Sequence, residues 1–382
     1  MDEHRQNCIA ALMTAKTVAA ISSIQLVGDK AEEIIKNIFE PARKHRFLSG
    51  SILHGNICDD DKIIDEVIIG CEEENSFSIN CHGNPIIVEN ILELLKKHAV
   101  KITEAGEIVS YEARRKYGDS AIKIEAEIVS VQAATLDGAK IILHQTKMGL
   151  LQTVEWWLKH IAIMEIEDIK LGAEQILADS KIASYFIEGA KIVLAGPPNS
   201  GKSTLFNYLC GKEKAIVTDI AGTTRDWLSA KIRLKKITAD FFDTAGLDDV
   251  LKGQNVIDAE SQKLSLEMAA KADLILYVAD ASNPAQTVPN LVNYFNKLIV
   301  LNKCDLVNVS ADGLKISAKT GTGVKELIDE IENALGVTEY DLKKTVCFTG
   351  RQREIIRRIA LAQDKKQVKG LIGELLTSSL IS

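Results

Sequence analysis

Cysteine, proline, aromatic residues and excess basic charge are all scarce in this 382-residue chain, and each scarcity excludes something. The seven cysteines (Cys8, Cys58, Cys71, Cys81, Cys210, Cys304 and Cys347) are odd in number and never spaced as CxxC, which argues against a disulfide framework or a zinc site and predicts reduced thiols. No uninterrupted apolar run reaches the ~18 residues of a membrane span. The opening Met-Asp-Glu-His-Arg lacks the basic stretch of a signal peptide. Together these lead to the expectation of a soluble cytoplasmic chain without membrane contact. Lys and Arg number 46 against 53 Asp and Glu, for a net charge of -7, so whole-surface attraction to nucleic acid is excluded; DNA is not an expected partner, and any RNA contact must be local.

What is present is 46% hydrophobic and 26% charged residues, the balance of a globular chain long enough for two or three domains. Residues 1–117 alternate β-rich runs ("SSIQLVG", "SGSILHGNI", "DEVIIGC", "SFSINCHG") with the amphipathic stretches "DKAEEIIKNIFE" and "IIVENILELLKKH", predicting an N-terminal α+β domain. Residues 118–188 carry long 3.6-period segments and form the first part of a helical domain. Residues 189–336 alternate strand and helix patterns, as in a doubly wound α/β domain. Residues 337–382 return to helical texture as its second part. Between Lys343 and Gly370 stand nine Lys or Arg against Glu354 and Asp364, a local balance of +7. That segment reads equally as a surface for a tRNA phosphate backbone or as a helix face set against acidic neighbours. Trp156 and Trp157 share a helical pattern in which packing is expected of at least one. His82, alone in an apolar strand, reads as a satisfied core or edge residue before it reads as a pocket residue.

The chemistry concentrates after residue 190. "AKIVLAG" is an apolar strand, and Gly196-Pro-Pro-Asn199-Ser200-Gly201-Lys202-Ser203 then matches GxxxxGK[ST] and runs through Thr204 into a helical pattern. In that setting backbone N–H groups and a helix N-terminus cradle phosphates, Lys202 reaches the β/γ oxygens, and the Ser203 hydroxyl ligates Mg²⁺. A Gly-rich turn is the plainer reading of the octet alone, but three strings downstream of it remove that reading. "FFDTAG" ends a strand with Asp243, suited to Mg²⁺ through water, and with Gly246, whose N–H can meet a γ-phosphate. "IVLNKCD" places Asn302, Lys303 and Asp305 at another strand end, where a carboxylate accepts paired hydrogen bonds from guanine N1 and N2 that adenine does not offer. "ISAK" brings Ser317, Ala318 and Lys319 to the base oxygen. The expected ligand is GTP or GDP with Mg²⁺, and the expected fold of this part is an α/β P-loop GTPase domain of Ras-like type.

"AIVTDIAGTTRD" (215–226), set between the P-loop and "DTAGL", resembles the MnmE (TrmE) family of tRNA-modification GTPases, strongly over 190–335 and more faintly through "SSIQLVG", "DEVIIG", "SFSINCHG" and "EAGEI". The resemblance implies a multidomain homodimer with a dimerising N-terminal domain of TrmE type, a helical domain, and a G domain inserted into it. It also implies activation by K⁺ in place of an arginine finger. Asn199 matches the family's potassium-ligating Asn, Thr218, Ile220 and Thr223 match the loop that completes the cage, and Thr224 matches the Mg²⁺-binding threonine. Asn199 also reads as a turn residue. Lys202, Thr224 and Gly246 are the implied catalytic groups, together with Asn255 where the family places a water-orienting Glu; Glu260 is a neighbouring carboxylate that hydrolysis could recruit.

Two further departures bear on function. The family's tail motif C-[ILV]-G-K is replaced by "GELLTSSLIS". The Gly-rich, Arg-containing loop that the resemblance implies for a formyl-folate reads "LMTAKTVAAI", and CHGG reads "CHGN" (Cys81 to Asn84), which counts against folate. The resemblance thus leads to a GTPase that hydrolyses GTP in tRNA wobble-uridine modification, with tRNA or a modification protein as partner. The alternatives are a regulatory GTPase switch and a GTP-holding scaffold, both without the tRNA chemistry.

Overall fold

The computed structural model describes residues 8–43, 46–212, 228–243, 270–283, 296–307 and 313–377. The chain divides into two compact units, Met1–Ile128 and Val129–Ser382.

In the first unit, apolar residues that recur at about every second position, most clearly over Lys62–Glu73 and Ser76–His82, yield strands with one face in the core. These are β1 (Ile9–Leu12), β2 (Ile21–Val27), β3 (Phe39–Pro41), β4 (Ile52–Asp59), β5 (Lys62–Glu73), β6 (Ser76–His82) and β7 (Lys101–Ile102), in the sheet order β3-β4-β5-β6-β2-β1-β7. Pairing is antiparallel except between β1 and β7. One sheet face, carrying Ile24, Leu26, Leu53, Ile57, Val67, Ile69, Phe77 and Ile79, forms a single core with helices α1 (Ala31–Ile38) and α2 (Pro85–Lys97). Helix α2 starts where Asn84 accepts a hydrogen bond from the Ile86 N–H at 2.9 Å, with Pro85 in the first turn, and ends on Lys96 and Lys97, where cations suit the dipole. Helices α3 (Ala105–Tyr117) and α4 (Ala121–Ser130) follow. His82 is exposed at the end of the interior strand β6 and is tied to the buried Asp65 through its backbone N–H and its Nδ1, both at 2.8 Å.

The second unit opens with helices α5 (Leu136–Gln145), α6 (Leu150–His160) and α7 (Ile166–Ile187). It then forms a six-stranded sheet from β8 (Ala190–Ala195), β9 (Leu228–Arg233), β10 (Thr238–Asp243), β11 (Leu274–Asp280), β12 (Lys297–Asn302) and β13 (Leu314–Lys315), in the order β13-β12-β11-β8-β10-β9. All pairs are parallel except β9 with β10. The central strands are covered on both faces, which is why "LILYVAD" and "AKIVLA" are nearly continuous apolar runs. The chain winds outward from β8 in both directions, so the crevice at its carboxyl end is a topological switch point. Helices α8 (Lys202–Lys212), α9 (Val324–Ala334), α10 (Gly350–Ala360) and α11 (Lys365–Leu376) complete the described elements.

Residues before and after the α/β part build one helical body. Gln145 is fully buried and spends its whole amide on this join: Nε2 donates to Ile141 O at 3.1 Å and Lys344 O at 3.0 Å, while Oε1 accepts from Leu150 N at 2.9 Å and Val346 N at 3.0 Å. Lys344 Nζ donates to Asp179 at 2.6 Å, Tyr340 OH to Asp179 O at 3.0 Å, and Cys347 N to Ser180 Oγ at 2.8 Å. Trp157 is buried and Trp156 is exposed, its ring 4.8 Å from that of His160. Replacing Gln145 by Leu leaves two N–H groups and a carbonyl buried without partners. Gln145→Leu should lower unfolding stability by roughly 2–4 kcal/mol in urea titration; an unchanged midpoint and slope would show that the amide does not join the two segments.

Candidate functional site

The loop after β8 owes its path to three residues with positive φ: Gly196 (136°), Asn199 (62°) and Gly201 (93°). A Cβ on Gly196 would lie 2.1 Å from Val278 O, and one on Gly201 would lie 2.2 Å from Asn302 Nδ2, so glycine is required by contact as well as by φ. Asn199 is exposed in a left-handed conformation, which Asn tolerates better than most residues. The loop turns directly into α8, and Lys202 folds back across it, its Nζ donating to Gly196 O at 2.6 Å and Pro197 O at 3.0 Å. At the same helix start the Ser203 hydroxyl donates to Asp243 Oδ2 at 2.7 Å, joining two residues forty positions apart. Thr204 is exposed beside it, and Ser200 is fully buried with its hydroxyl unpartnered.

The second cluster sits at the end of β12. Asn302 is buried; its Nδ2 donates to Ser200 O at 2.8 Å and its Oδ1 accepts from Ala318 N at 2.9 Å. Ser317 and Ala318 are buried, and the turn after them closes with Ser317 N donating to Thr322 O at 2.9 Å. Asp305 and Lys319 are exposed at the rim. The structure therefore brings together Gly196, Asn199, Ser200, Gly201, Lys202, Ser203, Thr204 and Asp243, the residues expected to face phosphates. It gathers Asn302, Lys303, Asp305, Ser317, Ala318 and Lys319, the residues expected to face the base, into a second cluster. Thr218, Ile220, Thr223, Thr224, Gly246, Asn255 and Glu260 lie outside the described residues.

Sequence reasoning missed Asp280, the last residue of β11. Its Oδ2 accepts from Lys303 Nζ at 2.6 Å, and its Oδ1 accepts from Ser282 N at 2.9 Å and Ser282 Oγ at 2.6 Å. Burial acts to raise its carboxyl, but the hydrogen bonds from Lys303 and Ser282 and the Lys303 charge outweigh it and hold the group below the usual carboxylate range. The only signal available was an acidic residue ending an apolar strand, which many surface turns share.

The first unit holds a separate cavity of about 470 Å³ between the loop Leu12–Thr17 and helix α2. Lys16, Lys96, Glu89, Glu93 and Glu104 line it, with no arginine among the lining residues. Of the basic segment 343–370, most side chains are engaged within the chain. Arg353 meets Glu188 at 3.0 Å, Arg358 meets Glu374 at 2.9 Å, Arg357 meets Glu354 at 2.5 Å, and Arg351 donates to Glu374 O and Leu375 O.

Residues 191–303 match the family model described as 50S ribosome-binding GTPase, and residues 8–111 match that of the GTP-binding protein TrmE N-terminus. The chain is 31% identical over 377 residues to a tRNA modification GTPase MnmE of Lachnoclostridium phytofermentans, covering 85% of this chain and 81% of the relative. It is 30% identical over 388 residues to the protein of the same name from Endomicrobium trichonymphae, covering 89% and 84%.

The base side carries its own test. Asp305→Asn turns an acceptor into a partial donor and should weaken GDP binding at least ~100-fold, as befits loss of charge-assisted hydrogen bonds. Competition against a fluorescent guanine nucleotide should then favour xanthosine diphosphate over GDP; an undiminished GDP preference would remove Asp305 from the base site.

Proposed function

The chain belongs to the MnmE family of tRNA modification GTPases, and from that footing we propose how its own residues bind and hydrolyse GTP. Lys202 holds the β/γ oxygens, the N–H groups of 199–203 cradle the phosphates, and the Asp305 carboxylate selects guanine. Ser203 and Asp243 offer Mg²⁺ two oxygen donors, and their 2.7 Å contact is the observation that carries this reading. Asn199, with Thr218, Ile220 and Thr223, would hold K⁺. When bound, the two cations neutralise charge on the phosphate oxygens. Thr224 would add a further oxygen to Mg²⁺, Gly246 would meet the γ-phosphate through its N–H, and Asn255 would orient the attacking water through an amide.

We further propose a homodimer formed through the sheet face opposite the core, where Ile21, Ile52 and Ile68 are exposed. The tRNA contact, if formed by the basic segment, falls to the exposed Lys343, Lys366 and Lys369, since most of the arginines are engaged. The cavity of the first unit lacks the arginine that the resemblance implies for a formyl-folate, so no folate step enters the mechanism. A regulatory switch without modification chemistry is the second reading. It is favoured by the burial of Cys347, whose N–H is held by Ser180 and whose thiol is withheld from any bound substrate.

GTP turnover of the purified protein with Mg²⁺ should rise roughly tenfold or more in potassium chloride over sodium chloride at matched ionic strength, a fraction of what an arginine finger supplies. Equal turnover in the two salts would remove the potassium cage from the mechanism. Tight GTP binding without turnover in either would leave a nucleotide-holding scaffold.

A further inference from the structure

Lys303 has a backbone φ of 67°, a conformation costly for a lysine unless its surroundings hold it. Its surroundings are specific. Asp280 and Asn302 are paired in register at the ends of β11 and β12, and Ala281 N donates to Asn302 O at 2.8 Å. The Asp280 carboxylate reaches across this pair to the Lys303 ammonium at 2.6 Å and is itself fixed by two donors from Ser282. The Asp280 side chain is only 15% exposed, so the charge pair is weakly screened. On its other side the loop is held by Asn302, whose amide is already committed to Ser200 and Ala318. The Asp280–Lys303 pair is thus the described side-chain restraint nearest to Asp305, two residues on.

We propose that Asp280 is a positioning residue for the guanine nucleotide, with Ser282 as its support: by anchoring Lys303 it holds the turn Asn302–Asp305 in the shape that presents the Asp305 carboxylate to the base edge. This rests on the reading that Asn302–Asp305 takes the guanine. It assigns Asp280 to affinity and residence time. The γ-phosphate chemistry takes place at the other end of the crevice and does not involve it.

The test is the variant Asp280→Asn in the full chain, with GDP dissociation followed by stopped-flow fluorescence and steady-state GTP hydrolysis measured beside it. GDP release should quicken, and KM for GTP rise, by ~10- to 100-fold, the range for loss of one charge-assisted hydrogen bond, with kcat within about twofold. In a double-mutant cycle with Lys303→Met, the two losses should not add, because either change breaks the same pair. Wild-type GDP release in an Asp280→Asn protein that melts like wild type would overturn the proposal, as would full additivity. Should Asp280→Asn fail to fold, Ser282→Ala removes one supporting hydroxyl and should quicken GDP release by roughly 3- to 10-fold; no change there would also overturn it. Failure of the underlying base-site reading is distinct: the unaltered protein would then bind adenine and guanine nucleotides alike.

Discussion

One buried amide organises the nucleotide crevice. Asn302 donates to the phosphate loop at Ser200 and accepts from the base loop at Ala318, while its backbone carbonyl receives the Ala281 N–H. Each bond is worth only about 1 kcal/mol net, but breaking one would strand a buried polar group, so they act together. The phosphate end and the base end of the site therefore cannot drift apart independently. Gly201 follows from the same constraint, because the space a side chain would need is occupied by the Asn302 amide. A framework held in this way limits the reorganisation that binding would cost.

The same economy joins the α/β part to the helices around it. Chain enters from α7 through Glu188 and Gly189 and leaves past Gly336, and the two connections lie side by side, with Phe186 and Tyr340 rings 5.7 Å apart. Lys236 N donates to the buried Glu332 at 2.6 Å, closing the β9–β10 turn onto α9. Tyr185, near the end of α7, is buried and hydrogen-bonded to Asp273 just before β11; burial and the neighbouring Asp273 charge both raise its phenol pKa, so it remains a neutral donor across the ordinary pH range. Strand β11 ends on Asp280. The strand that anchors the base loop at one end is thus fastened to the helical body at the other, and a shift of β11 would be felt by α7 through the Tyr185–Asp273 contact.

The legibility of these features in the sequence depends on their range. The phosphate loop is legible because its function lies in backbone N–H groups and in glycines at fixed offsets, all within eight residues. Asn302 and Asp305 are legible because they end a strand in a short string with one chemical meaning. The antiparallel sheet of the first unit is legible in period-2 alternation, and the cap of α2 in Asn84-Pro85. Gln145 is different: an ordinary helix-end glutamine acquires its role from Val346 and Lys344, some two hundred positions away. The basic run from Lys343 to Gly370 shows the same limit. Counting charges leaves an RNA surface and a packed face equally open, because the partners Glu188 and Glu374 lie outside the window that defines the run. Asp280 was missed for that reason too, since its meaning depends on the neighbour that strand pairing gives it.

These contacts also separate affinity from turnover. In the proposed binding mode Lys202, the phosphate loop, Asn302 and Asp305 would contact groups that change little between GTP and the transition state, apart from the Lys202 ammonium at the bridging oxygens. Interactions of equal strength in both states lower KM without raising kcat. Acceleration must come from groups that meet the charge developing on the γ-phosphate and the incoming water, and the proposal gives that work to Thr224, Gly246 and Asn255 together with any cation held at Asn199. By resemblance Asn255 stands where the family places a water-orienting carboxylate, with Glu260 as the neighbour that hydrolysis could recruit. An amide can both accept from and donate to a water, fixing its direction, but unlike a carboxylate it gives that water no negative charge to lean on as it loses its proton. On the proposed reading the chain would hold GTP well and hydrolyse it slowly, unless a neighbouring carboxylate such as Glu260 takes over the water and a cation offsets the charge on the phosphate oxygens.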